Sequence, residues 1–163
     1  MTQVADGPWY YQQLELGYNY RMTDIQAALG ASQTEKLEVF SLRRRHLADL
    51  YDRELSDLPL RPLKRDPAGI SGWHLYVIRL DLDAIRRTRR EIFESLRAQG
   101  IGVNVHYIPV HFQPDFKKLG FRAGMFPEAE RYYEEAITLP LFPAMIDEEV
   151  SRVRDALEKA LET

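Results

Sequence analysis

From Met22 to Leu55 the apolar residues Ile25, Leu29, Leu37, Phe40, Leu47, Tyr51 and Leu55 recur at helical spacing. The pattern predicts one helix over 22–55, about 50 Å long at a rise of about 1.5 Å per residue. A chain of 163 residues does not need so long an element to close around its own core, so such a helix is expected to brace something larger. Its start is written in the sequence. Thr23-Asp24-Ile25-Gln26 spells a capping box, in which the Thr23 hydroxyl serves the third helical amide and Gln26 reaches back to the Thr23 N–H. Asn19 and Arg21 lie just outside that start. They are a neutral amide donor and a planar cationic fork, groups suited to phosphate or carboxylate oxygens.

Further along, Pro59 to Gly72 mixes Pro, Gly and charge and reads as a connector between elements. Trp73 to Asp81, with Leu75, Val77 and Arg79 alternating against Tyr76, Ile78 and Leu80, is expected as a buried strand. Arg89 to Gln99 should be a helix using Ile92, Phe93 and Leu96, ended by Gly100 in a left-handed cap. Val103 to Tyr107 is expected as a second strand, giving β-α-β. An aromatic helix at 127–136, a short strand at 137–139 and a final helix complete the pattern. In the last, Asp147, Glu148 and Glu149 favour the N-terminus while Val150, Val153, Leu157 and Leu161 form an apolar stripe. The class is α+β, a small sheet backed by helices.

Composition narrows the function. With 45% hydrophobic residues the chain can bury a genuine core. A formal charge of −3 argues against nucleic acid, which requires a basic stripe. Arg43-Arg44-Arg45-His46 is bounded by acids and reads as a solvated helix face, and Arg86-Arg87-Thr88-Arg89-Arg90 as the approach to a helix. There is no cysteine, which fits a reducing compartment and makes the cytoplasm the expected location. The start, Met1 to Asp6, is polar and no apolar run reaches a membrane-spanning length, so neither a signal peptide nor membrane insertion is expected.

Several residues could carry chemistry. Asn19 could donate to an anion or be a loop asparagine that tolerates a left-handed backbone. Arg21 could hold a phosphate or a carboxylate, or pair with Asp24 or Glu15. Tyr18 and Tyr20 could line a ligand pocket or pack beneath a loop. His106 and His111 are five apart across Pro109, so an extended chain sends them to opposite sides, and no third ligand lies at a usable spacing; no metal site is expected. His111 is either a ligand contact or a turn histidine satisfied by the backbone. Gly100-Ile101-Gly102 lacks the third glycine of a dinucleotide-binding turn.

The run Gly17-Tyr18-Asn19-Tyr20-Arg21-Met22-Thr23-Asp24-Ile25-Gln26-Ala27-Ala28-Leu29-Gly30 resembles the DegT/StrS-type sugar aminotransferases, pyridoxal-phosphate (PLP) enzymes that aminate keto-sugar nucleotides. Gly100-Ile101-Gly102-Val103-Asn104-Val105-His106-Tyr107-Ile108-Pro109-Val110-His111 and Leu139-Pro140-Leu141-Phe142-Pro143 are similar to the end of the same enzymes. Within the family the similarity is to the pseudaminic-acid branch, whose members act on a UDP-linked 4-keto-6-deoxy sugar. The resemblance runs from about Trp9 to the C-terminus and corresponds to the C-terminal portion of longer enzymes.

It implies a single domain over 1–163: an active-site loop segment at 1–21, the long helix at 22–55 and the α+β small domain of a fold-type I PLP enzyme at 73–163, with the large PLP-binding domain absent. It also implies roles. Asn19 would donate across a dimer interface to the PLP phosphate of the neighbouring subunit, while Arg21, His106, Tyr107 and His111 would contact substrate. Partners would be a UDP-linked keto-sugar, an amino-acid donor, expected to be glutamate, and a second subunit or the missing large domain. None of the five lysines, Lys36, Lys64, Lys117, Lys118 and Lys159, sits in an apolar sequence setting that would lower its pKa for a Schiff base. No catalytic residue and no PLP bound by this chain alone are therefore expected. The competing expectation is a catalytically silent module that binds a nucleotide sugar or another protein.

Overall fold

A computed structural model describes Gln12 and residues 14–18, 20–66 and 69–162. The chain forms two compact units, 1–36 and 37–163.

The first unit carries α1 (Asp24–Thr34). Its capping box is as the sequence predicts: the Gln26 amide donates to Thr23 Oγ1 at 3.3 Å, and the Thr23 amide donates to Gln26 Oε1 at 2.9 Å. The single helix expected over 22–55 is instead two, because the ladder stops at Glu35 and Lys36 before α2 (Leu37–Glu54) begins. The local cause lies in the last turn of α1. Thr34 Oγ1 donates to the Gly30 carbonyl at 2.9 Å, a back-bond that competes with the main-chain ladder, and the Lys36 amide takes the tighter i−3 partner, Gln33.

In the second unit a three-stranded antiparallel sheet has the order β1 (Leu60–Pro62), β2 (Tyr76–Leu80), β3 (Ala136–Leu139). Leu60 faces Leu80, and Ile78 stands opposite both Pro62 and Ile137. All four residues of β3 are buried, as befits a strand covered on both faces. Helix α3 (Arg89–Ala98) is capped by Thr88 with Glu91, and Gly100 takes φ of 76°, the left-handed stop expected from the sequence. Helices α5 (Pro127–Glu135) and α6 (Asp147–Glu162) also fall where the pattern put them. The core joins Leu47, Tyr51 and Leu55 of α2, Ile78 and Leu80 of β2, Ile92 and Leu96 of α3, and Val150, Val153 and Leu157 of α6. Full burial of such a side chain contributes about 1.5–3 kcal/mol.

Two further elements differ from expectation. Val103–Tyr107 is not a strand: only Asn104 pairs, in a single antiparallel bridge to Thr138, so the β-α-β reading is replaced by an antiparallel sheet. The reason lies along the partner strand. In the register of the bridge the next hydrogen-bonded partners would be Pro140, which has no N–H, and Ala136, whose amide already donates to the Tyr132 carbonyl. The connector at 59–72 also supplies the edge strand β1, short enough to end at Pro62, where a missing N–H is tolerated.

Between the Asn104 bridge and α5 the chain makes a 3-10 turn at Val110–Phe112 and the short helix α4 (Pro114–Lys118). Among the described residues no helix is long and apolar enough to cross a membrane.

Candidate functional site

In the second unit the predicted residues His106 and Tyr107 leave the β3 edge together. Asn104 anchors the departure: its amide donates to the Thr138 carbonyl at 3.2 Å, and the Thr138 amide donates to the Asn104 carbonyl at 2.7 Å. Two residues on, the half-buried His106 ring turns back to the same strand and places Nδ1 2.8 Å from Thr138 Oγ1. Its Nε2 lies 3.4 Å from Asn104 Nδ2. The Tyr132 hydroxyl on α5 donates to the His106 carbonyl at 3.2 Å. Burial pushes the Tyr132 phenol above its ordinary pKa, keeping it a donor throughout the physiological range. His106 is thus held by side chain and main chain at once.

Tyr107 is different. Its ring meets His106 edge-on at 4.6 Å between centroids and is 68% exposed, so the phenol stands free to meet a ligand. The neighbouring Ile108 and Val110 are exposed too, at 48% and 59%.

His111 is only 5% exposed. Its Nε2 lies 2.9 Å from Glu130 Oε1, and its ring lies between Phe112 and Phe126 at centroid distances of 4.3 and 4.8 Å. Glu130 also accepts the Gly124 and Phe126 amides. The Gly124 amide is the main force holding the Glu130 carboxyl below the usual glutamate range; burial opposes it, and Phe126 and His111 add to the lowering. His106 and His111 therefore sit in separate networks, one on the strand edge and one under the loop.

In the first unit Arg21 is exposed just ahead of the capping box, and the exposed rings of Tyr18 and Tyr20 stack with centroids 5.7 Å apart. Asn19 lies outside the described residues.

Asn104, Thr138, Tyr132 and Glu130 were not singled out by the sequence reading as site residues. A signal was present in part: Asn104 stands two residues before His106, and Thr138 two residues before Pro140 in the Leu139-Pro140-Leu141-Phe142-Pro143 run. What the sequence could not display was the meeting of His106 with Thr138 across 32 residues.

The lysines test whether the chain can hold PLP covalently. All five are exposed, and Lys118 is paired with Asp115 at 2.7 Å. None has the desolvated pocket a Schiff base needs, so the residues present do not fit that role. Among the described residues no group of three or more His, Cys, Asp or Glu could hold a metal ion.

Residues 2–158 match the DegT/DnrJ/EryC1/StrS aminotransferase family. The spore coat polysaccharide biosynthesis protein SpsC of Bacillus subtilis is 37% identical over 94% of this chain and 40% of its own length. Among solved structures, Spr1654 of Streptococcus pneumoniae in its PMP form superposes with a TM-score of 0.85 at 33% identity, over 94% of this chain and 39% of that one. Helicobacter pylori PseC, an aminotransferase of pseudaminic acid biosynthesis, superposes with a TM-score of 0.84 at 29% identity, over 98% of this chain and 43% of that one. The chain spans about two fifths of the length of the curated relatives it matches. With an α+β fold of the kind found as the C-terminal small domain of fold-type I PLP enzymes, the chain belongs to the DegT/DnrJ/EryC1/StrS aminotransferase family.

Proposed function

We propose that this chain is the C-terminal part of a PLP-dependent nucleotide-sugar aminotransferase that passes an amino group from glutamate to C4 of a UDP-4-keto-6-deoxy sugar. The observation that carries the reading is the His106–Tyr107 pair: an imidazole fixed on a strand edge beside an exposed phenol. These are two polar tips on apolar bodies, suited to sugar hydroxyls and the face of a pyranose ring. Exposed lysines are consistent with a division of labour in which the Schiff base comes from outside this chain. The similarity to PseC supports a pseudaminic-acid type of substrate.

On this reading Asn19 donates to the cofactor phosphate of a neighbouring subunit in a homodimer, and Arg21 takes an anionic group of the nucleotide sugar or of the amino donor. His111 acts through the loop that it and Glu130 hold, which carries Tyr107 at its start. The absence of cysteine favours work in the reducing cytoplasm.

The exposed lysines also favour one second reading, a silent module that binds a nucleotide sugar without turning it over. Two assays separate them. The protein encoded by the whole reading frame that contains this chain is given PLP, glutamate and a UDP-4-keto-6-deoxy sugar, and products are weighed by mass spectrometry. The 163-residue chain alone is treated with PLP and borohydride. The proposal expects the 4-amino sugar from the former and no stoichiometric pyridoxyl lysine in the latter. An unchanged keto-sugar, or one lysine of the isolated chain fully labelled, would overturn it.

A further inference from the structure

The hydrogen bonds around His106 define which ring nitrogen carries the proton. Asn104 Oδ1 accepts the Val105 amide at 2.8 Å, and that bond fixes the orientation of the side-chain amide. The group facing His106 Nε2 at 3.4 Å is therefore the NH2, which can donate but cannot accept. Nε2 must meet it with a lone pair. In the neutral ring the proton then sits on Nδ1, where it is donated to Thr138 Oγ1 at 2.8 Å. A hydroxyl serves either tautomer, so Thr138 alone would leave the choice open; Asn104 decides it.

Both partners are rigid. Thr138 is 5% exposed on the outer strand β3, and its two main-chain bonds to Asn104 make one frame of the two residues. Tyr132 fixes the main chain of the histidine from the other side. The ring is thereby held at Nδ1 by a short bond and touched at Nε2 by a long one. A long N–H···N contact is readily exchanged for a stronger donor.

We propose that Asn104 and Thr138 are positioning residues that lock neutral His106 as the Nδ1–H tautomer, so that Nε2 is presented to a ligand as a hydrogen-bond acceptor. The ligand group that satisfies it is a hydroxyl. A phosphate or carboxylate oxygen, having no proton to give, would meet the lone pair with repulsion. The lock stands on the geometry alone, whereas the hydroxyl as ligand rests on the sugar-contact reading above. Within that reading the lock makes His106 select for a donor on the sugar ring and leaves anionic groups to other residues.

The test is read without any sugar present. Long-range proton–nitrogen correlation spectra of the 15N-labelled full chain, at about pH 8 where imidazole is largely neutral, report the protonation of each ring nitrogen; His106→Gln assigns the signal. The expected pattern is Nδ1–H with a bare Nε2. Thr138→Val, close to isosteric, removes a hydroxyl that serves either tautomer, so Nδ1–H should stay the major form because the Asn104 NH2 still faces Nε2. Asn104→Asp places an acceptor where a donor stood and should make Nε2–H the major form, an outcome that does not depend on how the sheet tolerates Thr138→Val. An Nε2–H ring in the unsubstituted chain would overturn the proposal, as would an Nδ1–H ring that survives Asn104→Asp. Because no sugar enters the measurement, failure here leaves the sugar-contact reading to be judged by its own kinetics, and failure there leaves the lock intact.

Discussion

His111 and Glu130 meet at 2.9 Å beneath the loop that begins at Tyr107, and Glu130 ties that contact to the Gly124 and Phe126 amides. One carboxylate thus holds both ends of the segment from the 3-10 turn to α5. Its pKa is lowered on folding, so the unfolded chain binds the proton more readily. The resulting stabilisation is complete above the ordinary glutamate value of 4.5 and is lost as the pH falls through the lowered folded value. Glu130→Gln should therefore be less stable than the unsubstituted chain at neutral pH, with the difference shrinking as the solution is acidified below about pH 4.5. Urea midpoints at several pH values measure this. A difference independent of pH would show that the charge of Glu130 plays no part.

The Tyr51 hydroxyl donates to the Pro140 carbonyl at 2.9 Å while its ring stacks on Tyr76 with centroids 4.7 Å apart. Burial, with a smaller contribution from Glu149, pushes this phenol well above its ordinary pKa, so it remains a donor wherever the protein is folded. Tyr51→Phe keeps the ring and strands the carbonyl, and should cost about 1–3 kcal/mol in denaturant unfolding. Tyr20→Phe, at a ring 89% exposed, serves as the control and should leave the midpoint unchanged.

Core and surface apolar residues should separate as sharply. Leu157 is fully buried where α6 meets the rest of the second unit, and Leu157→Ala should cost about 2–5 kcal/mol. Leu29 is 63% exposed in the described chain, and Leu29→Ala should stay within about 0.5 kcal/mol of the unsubstituted protein. Guanidinium unfolding of both variants checks the pair. A large loss at Leu29 would mean that this side chain is covered in solution.

Legibility followed the range of the interactions. Helix α1 starts where Thr23 and Gln26 say it does, and α3 stops at Gly100, because caps are settled within a few residues. The apolar stripe of α6 was equally plain: Val150, Val153 and Leu157 are buried. The break after Thr34 escaped because a back-bonding hydroxyl leaves the apolar period intact while interrupting the ladder. The strand expected at 103–107 failed because alternation registers side chains and not amides: beyond Asn104 the partners in register would be Pro140, which has no N–H, and Ala136, whose amide serves the Tyr132 carbonyl. At the site, His106 and Tyr107 could be picked out as candidates from their motif. The His106 anchors Thr138 and Tyr132 could not, being 32 and 26 residues away and ordinary members of a strand and an aromatic helix.

On the proposed reading His106 serves the sugar and not the amino donor. The most direct measurement compares the two half-reactions of the protein encoded by the whole reading frame, followed in single turnovers with glutamate alone and then with the UDP-4-keto-6-deoxy sugar. His106→Ala should lower kcat/KM for the sugar about tenfold or more while the glutamate half-reaction stays within about twofold. An equal fall in both half-reactions, or no fall in either, would contradict the account.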